Sequence, residues 1–203
     1  MSAGSGLVLG LVLAGGRSVR FGGEKAIALL EGKPLLAWAA ERLRTVCATV
    51  GVNVRPGTEA EAVAKAAGLP TLYDDAGDAT GPLAGVKVGL IWAEKHGARA
   101  LAVSPCDAPL LPQDLYVRLL ERAGEGAAMA ETRDGWQPLC AIWPVGALAA
   151  VRAALAGGAH PPTWQVLESI GAQKVLFDDS AAFANVNTRA DLAAVESARS
   201  GRA

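Results

Sequence analysis

The stretch "LVLGLVLAGGRSVRFGGEK", residues 7–25, changes character halfway along. Leu7 to Ala14 is apolar without alternation, the pattern of a parallel strand buried on both faces. The remainder holds Gly15, Gly16, Gly22 and Gly23 together with Arg17, Arg20 and Lys25. Ligands of open α/β sheets sit beyond the carboxyl ends of the strands. A glycine-rich basic loop at that end is therefore a candidate anion site. Gly15 and Gly16 let the backbone turn sharply and approach a ligand, leaving amide N–H groups for an anion. Arg20 and Lys25 supply cationic donors, and a guanidinium can hold phosphate through two bonds. Neither familiar phosphate fingerprint is present: Ala26 follows the lysine where a P-loop has Ser or Thr, and the loop has no GxGxxG. A solvated glycine turn is the alternative reading of these residues.

Outward from this stretch, strand and helix alternate. "PLLAWAAERLRTV" (34–46) places Pro34 at a helix start, and "ATVGVNV" (48–54) reads as the next strand. "TEAEAVAKAAG" (58–68) is a short helix opened by Thr58 and closed by Gly68. A brief strand at "PTLY" (70–73) leads through the polar loop "DDAGDATG" (74–81) to a helix stopped by Gly97. "ARALAVS" (98–104) is a buried strand, and "PQDLYVRLLERAG" (112–124) a capped helix. Later segments are mixed: "GAAMAET", "WQPLCAIWP", a helix from about Val145, "PTWQVLESIG", the strand "QKVLF" and a last helix after "NVNT". "SARSGRA" (197–203) reads as a disordered tail. The alternation implies a three-layer α/β fold with a mostly parallel sheet.

Composition sets the outer bounds. The 203 residues fit one large domain, with 51% hydrophobic and 19% charged residues and a formal net charge of -1. Nothing in that balance attracts nucleic acid, so an anion site has to be built locally. The apolar run near the start lacks a basic region before it and falls short of the ~20 residues that span a bilayer, so no membrane association is expected. Cys47, Cys106 and Cys140 are unclustered, which favours a reducing, cytoplasmic setting over a zinc or disulfide framework.

Two further constellations follow strands. In "VSPCDAPLLP" (103–112), Asp107 lies between Pro105 and Pro109, whose fixed φ angles restrain its pose. A carboxylate beside a triphosphate suits Mg²⁺, which takes one or two carboxylates and fills its shell with phosphate oxygens and water. Capping of the next helix is the competing reading, although Gln113 and Asp114 already stand at that helix start. In "DDAGDATGPLAGVKVGL" (74–90), Asp74, Asp75 and Asp78 could meet a base, a sugar hydroxyl or a metal. Gly81 and Gly85 flank a helix start that could pack against a flat ligand. Taken alone, this is an ordinary acidic turn.

"LAGGRSVRFGGEK", "GPLAGV", "PCDAPLLP" and "FANVNT" occur here in the order found in molybdenum cofactor guanylyltransferases, which this chain resembles from Leu7 to about Leu192. The resemblance implies a Rossmann-like nucleotidyltransferase fold across 1–203, with the nucleotide bound by the N-terminal half and the acceptor by the C-terminal third. The doubled glycine of "LAGG" with "GPLAG" looks like the guanylyl-transferring branch. Carried over by motif, Leu13, Ala14, Gly15 and Gly16 would line the nucleotide, and Lys25 would touch its phosphates. Arg20 falls at the family's basic loop position. Asn53 and Asp74 would contact guanosine, and Asp107 would hold Mg²⁺. Asn185 and Asn187 either face the acceptor or form a turn, since Thr188 and Asp191 read as a capping box.

Two departures are visible. "FGGEK" stands where the family often has one more residue and an aspartate before the lysine. "GGAHPPTWQVLESIG" (157–171) keeps Trp164 but lacks the basic pair. Trp136, Trp143 and Trp164 fall in the acceptor half, where a ring could stack on a pterin or simply fill the core. The implied substrates are GTP and molybdopterin or molybdenum cofactor, with cofactor-delivery and molybdoenzyme maturation proteins as further partners. Transfer to another acceptor, by a cytidylyl-, sugar-phosphate- or phospholactate-directed relative, and non-catalytic nucleotide binding are the alternatives.

Overall fold

The computed structural model describes residues 6–16, 21–77 and 81–200, the last three of these by backbone alone. A seven-stranded sheet forms its centre, in the order β5-β4-β1-β6-β8-β7-β9. Its strands are β1 (Val8–Leu13), β4 (Thr49–Asn53), β5 (Thr71–Leu72), β6 (Ala100–Pro105), β7 (Ala128–Thr132), β8 (Gly135–Pro144) and β9 (Gln173–Phe177). A small hairpin of β2 (Leu29–Leu30) and β3 (Lys33–Pro34) stands apart. β1 pairs in parallel with β4 and β6, β4 with β5, and β7 with β9. Only β8 runs antiparallel to its sheet neighbours, β6 and β7.

Helices cover both faces. On one side lie α1 (Leu35–Arg44), α2 (Glu59–Ala66) and α4 (Leu115–Ala123), whose buried residues share a core with Val8, Val12, Val50 and Val52. On the other lie α3 (Pro82–Lys95), α5 (Leu148–Leu155) and α6 (Thr163–Ser169), packed with Leu9, Leu11, Leu101, Val103 and Trp143. Alternate residues of β1 thus feed opposite cores, as the pleat requires. This is the three-layer arrangement expected from the alternation of strands and helices.

Local chemistry sets several boundaries. Thr58 Oγ1 accepts from the Glu61 N–H at the start of α2, and Gly68 closes that helix with φ +68°. Pro34 lies just outside α1, which begins at Leu35, one residue later than expected. The expected tail is shorter than it reads, because α7 (Arg189–Ser200) continues through Ser200. Its apolar face, with Leu192 and Val195, packs on a small cluster of Phe21, Leu30, Leu35 and Val186. Residues 201–203 lie outside the described residues.

"WQPLCAIWP" becomes the antiparallel β8. Its register against β7 passes from Met129–Ala141 to Ala130–Gln137, so Pro138, Leu139 and Cys140 bulge out of the ladder. Pro138 has no N–H to give to a ladder, which makes a bulge the natural solution there. The bulge turns Leu139 toward the carboxyl ends of the neighbouring strands, where it lines a cavity.

Candidate active site

A cavity of about 670 Å³ opens beyond the carboxyl ends of β1, β4 and β6. The end of β1 contributes Leu13, Ala14, Gly15 and Gly16, while Asn53 and Asp74 come from the ends of β4 and β5. Lys25 and Asp107 line it as well, and Asn187 enters from the turn before α7. Asn185 is exposed and does not line the cavity. Arg20 and Asp78 lie outside the described residues.

Lys25 is the meeting point. Its Nζ donates to Asp107 Oδ2 at 2.6 Å and to Asn187 Oδ1 at 3.1 Å, joining positions 82 and 162 residues away in the chain. Both members of the Lys25–Asp107 pair are mostly shielded from solvent, with side chains 13% and 18% exposed. Asp107 is not a helix cap: α4 begins at Leu115, after Asp114. Instead its carbonyl accepts from the Val186 N–H at 2.7 Å, which binds the turn at 183–188 to the Asp107 loop. Asn187 has two roles at once. Its N–H and that of Thr188 donate to Asp191 Oδ2, each at 2.8 Å, and the Asp191 N–H donates back to Thr188 Oγ1 at 3.1 Å. The capping box therefore exists, and it aims the Asn187 side chain at Lys25 instead of excluding it from the cavity.

The other end of the cavity is built around Asn53. Asn53 is 4% exposed; its Nδ2 donates to Asp74 Oδ1 at 2.9 Å and to the Leu72 carbonyl at 3.4 Å. Helix α3 comes very close here. A Cβ on Gly85 would stand 2.6 Å from Asn53 Oδ1 and 2.7 Å from Leu13 Cδ2, and one on Gly89 would stand 2.6 Å from Leu11 Cδ2. These two glycines, one helical turn apart, let the start of α3 sit directly on the ends of β1 and β4.

Several lining residues were not signalled by the sequence. Glu24 Oε2 accepts from the Ala60 N–H at 2.7 Å, serving as a remote cap for α2 and tying the glycine-rich loop to it. Arg55 lines the cavity beyond β4, and Leu139 lines it from the bulge. Glu24 and Arg55 are charged residues in ordinary loops, and their partners or positions depend on distant segments. Cys106 lines the cavity without being reactive: burial pushes its thiol up to about 12, with the Asp107 charge adding to the effect. Trp143 is fully buried, whereas Trp136 and Trp164 meet edge to face at 5.4 Å without lining the cavity.

Residues 10–173 match the MobA-like NTP transferase domain. The chain belongs to this family. A molybdenum cofactor guanylyltransferase of Cereibacter sphaeroides is 41% identical over 192 residues, covering 94% of this chain and 96% of that one. The enzyme of that name from Cupriavidus taiwanensis is 37% identical over 199 residues, with 93% and 96% covered. The solved structure of molybdopterin-guanine dinucleotide biosynthesis protein A from Archaeoglobus fulgidus gives a TM-score of 0.75 at 23% identity, over 95% of this chain and 99% of that one. A CMP:2-keto-3-deoxy-manno-octonic acid synthetase solved with CTP gives 0.75 at 13% identity, over 97% and 100%. Likeness at these two levels of identity shows the shared fold. The MobA-like chain is thus an enzyme of the nucleotidyltransferase class. Among the described residues of this NTP transferase, no helix is long and apolar enough to cross a membrane.

Proposed function

We propose that this enzyme transfers GMP from GTP to the terminal phosphate of molybdopterin, with or without bound molybdenum, releasing pyrophosphate. The observation that carries the reading is the convergence of Lys25, Asp107 and Asn187 at one end of a cavity whose other end holds Asn53 and Asp74. An oxygen of the acceptor phosphate attacks the α-phosphorus of GTP, a new P–O bond forms, and the bond to the β-phosphate oxygen breaks. No protein nucleophile is needed. Lys25 holds and neutralises the triphosphate, and Gly15 and Gly16 bring backbone N–H groups to it. Arg20 adds a second cation from the same loop. Asn53 and Asp74 present amide and carboxylate edges to guanine, and Leu13 and Ala14 line the nucleoside. Asn187 places Lys25 and borders the side from which the acceptor enters, with the exposed Asn185 outside the cavity.

Asp107 fits a Mg²⁺ site. It is a carboxylate at the cavity wall, and its second oxygen is bonded to no other described residue. One such ligand suffices where phosphate oxygens complete the shell. A bound Mg²⁺ supplies charge neutralisation at the reacting phosphates. Asp107 would hold the ion, and Lys25 would face the phosphates.

Incubating the protein with Mg²⁺, molybdopterin and each NTP in turn tests the reading. Guanine dinucleotide and pyrophosphate are expected from GTP alone among the four. Cytosine dinucleotide as the main product would assign the chain to cytidylyl transfer. Tight GTP binding with no pyrophosphate released would make it a binding protein.

A further inference from the structure

A second cavity, of about 220 Å³, adjoins the first at Gly81 and Pro82, which line both. It lies at the N-terminus of α3, a helix of 14 residues, and is closed by Leu155 and the turn at 160–163. The first N–H groups of a helix have no partner within it and carry its positive dipole end. Pro82 has no N–H, so Leu83 is the first residue able to offer one. Independently of the helix, Thr163 lines this cavity, is only 5% exposed, and its hydroxyl bonds to no described residue. Its oxygen is not sealed off, so water or a ligand in the cavity is its hydrogen-bond partner. His160 completes the rim, with Nδ1 3.7 Å from where a Cβ on Gly81 would stand. No acidic side chain is among the described residues that line the cavity.

We infer that this cavity binds a small oxyanion, a phosphate or carboxylate group, between the Leu83 N–H, the Thr163 hydroxyl and the His160 imidazole. The space is too small for a nucleotide, and among the described lining residues no carboxylate competes for its side-chain donors. Two sources carry this chemistry. One is free inorganic phosphate. The other, which rests on the acceptor reading above, is an anionic group of the acceptor reaching across the Gly81–Pro82 wall.

Inorganic phosphate titrated into ¹⁵N-labelled Lys25→Ala protein is the direct test, since that variant weakens phosphate binding in the larger cavity. Saturable shifts are expected at the Leu83 amide and the His160 ring. Thr163→Val keeps the side-chain shape and should weaken binding about five- to ten-fold, the value of about one hydrogen bond. Thr163→Ser should retain binding. The exposed His160, changed to Ala, gives a second variant that leaves the core untouched, and it too should bind more weakly. Absent shifts, shifts confined to the 13–25 loop, or equal affinity in Thr163→Val and His160→Ala would overturn the site. Steady-state kinetics with molybdopterin separate the sources. Phosphate that raises the acceptor KM of the unsubstituted enzyme, and not of Thr163→Val, identifies the acceptor. Binding without such competition identifies free phosphate, and binding is read even if turnover with molybdopterin fails.

Discussion

Lys25 donates to two side chains that nothing in the local sequence connects to it. If it grips the triphosphate, Lys25→Ala should weaken GTP binding about 10- to 100-fold, as expected for loss of a charge-assisted hydrogen bond worth ~1.5–3 kcal/mol. Isothermal titration measures this, and an unchanged affinity removes Lys25 from the phosphates. Asp107→Asn keeps the shape of the side chain and removes its charge. It should reduce turnover severely while GTP still binds; near-normal kcat at saturating Mg²⁺ would exclude Asp107 as the metal ligand. For Asn187 the structure suggests a sharper experiment than a single substitution. Its side chain accepts from Lys25, so Asn187→Ala should slow the reaction in the native background and add little in Lys25→Ala. Independent, additive effects would mean that Asn187 acts on something other than Lys25.

Among the elements, α3 fits closely against the sheet. A methyl on Gly85 would press on both Asn53 and Leu13. Gly85→Ala should therefore destabilise by about 1–3 kcal/mol through overpacking and should weaken GTP binding as well, because Asn53 has to move. Thermal melts with and without GTP report both effects, and a neutral Gly85→Ala would show that the helix start can shift freely. The order of strands and helices is legible in the sequence because buried parallel strands and capped amphipathic helices carry distinct periods, as at 7–14 and 58–68. β8 is less legible. "WQPLCAIWP" alternates poorly because its bulge breaks the period of two, so neither its antiparallel direction nor the inward turn of Leu139 can be read before the fold is seen. The α7 capping box is legible locally, but its consequence for Asn187 is not, since that depends on a lysine 162 residues earlier.

At the level of the whole molecule, the three cysteines are buried on one face of the sheet, in the core shared with α1, α2 and α4. Burial raises the Cys47 and Cys106 thiols from 9.0 to about 12. The folded chain therefore keeps protons that an unfolded chain gives up above pH 9. Their contribution to stability is complete below pH 9 and declines as pH rises toward 12. The urea midpoint should fall steadily from pH 8.5 to pH 10.5, and a thiol reagent should label the native protein slowly at pH 8 and rapidly once it is unfolded. Fast labelling of the native chain would show that the core opens. The candidate site was readable to the extent that its residues follow strands: the ends of β1, β4, β5 and β6 all carry one. Their joining by Lys25, and the remote cap supplied by Glu24, belong to long-range packing that no local pattern encodes.

The contact between Lys25 and Asn187 also imposes an order in time. A ribosome delivers Lys25 162 residues before Asn187, and domains gather structure as they emerge. The sheet from β1 to β6 can assemble while synthesis continues, but the lysine gains its second partner only when the 183–188 turn and the start of α7 have been released. A nascent chain is therefore able to fold well before it is able to hold its lysine in the working position.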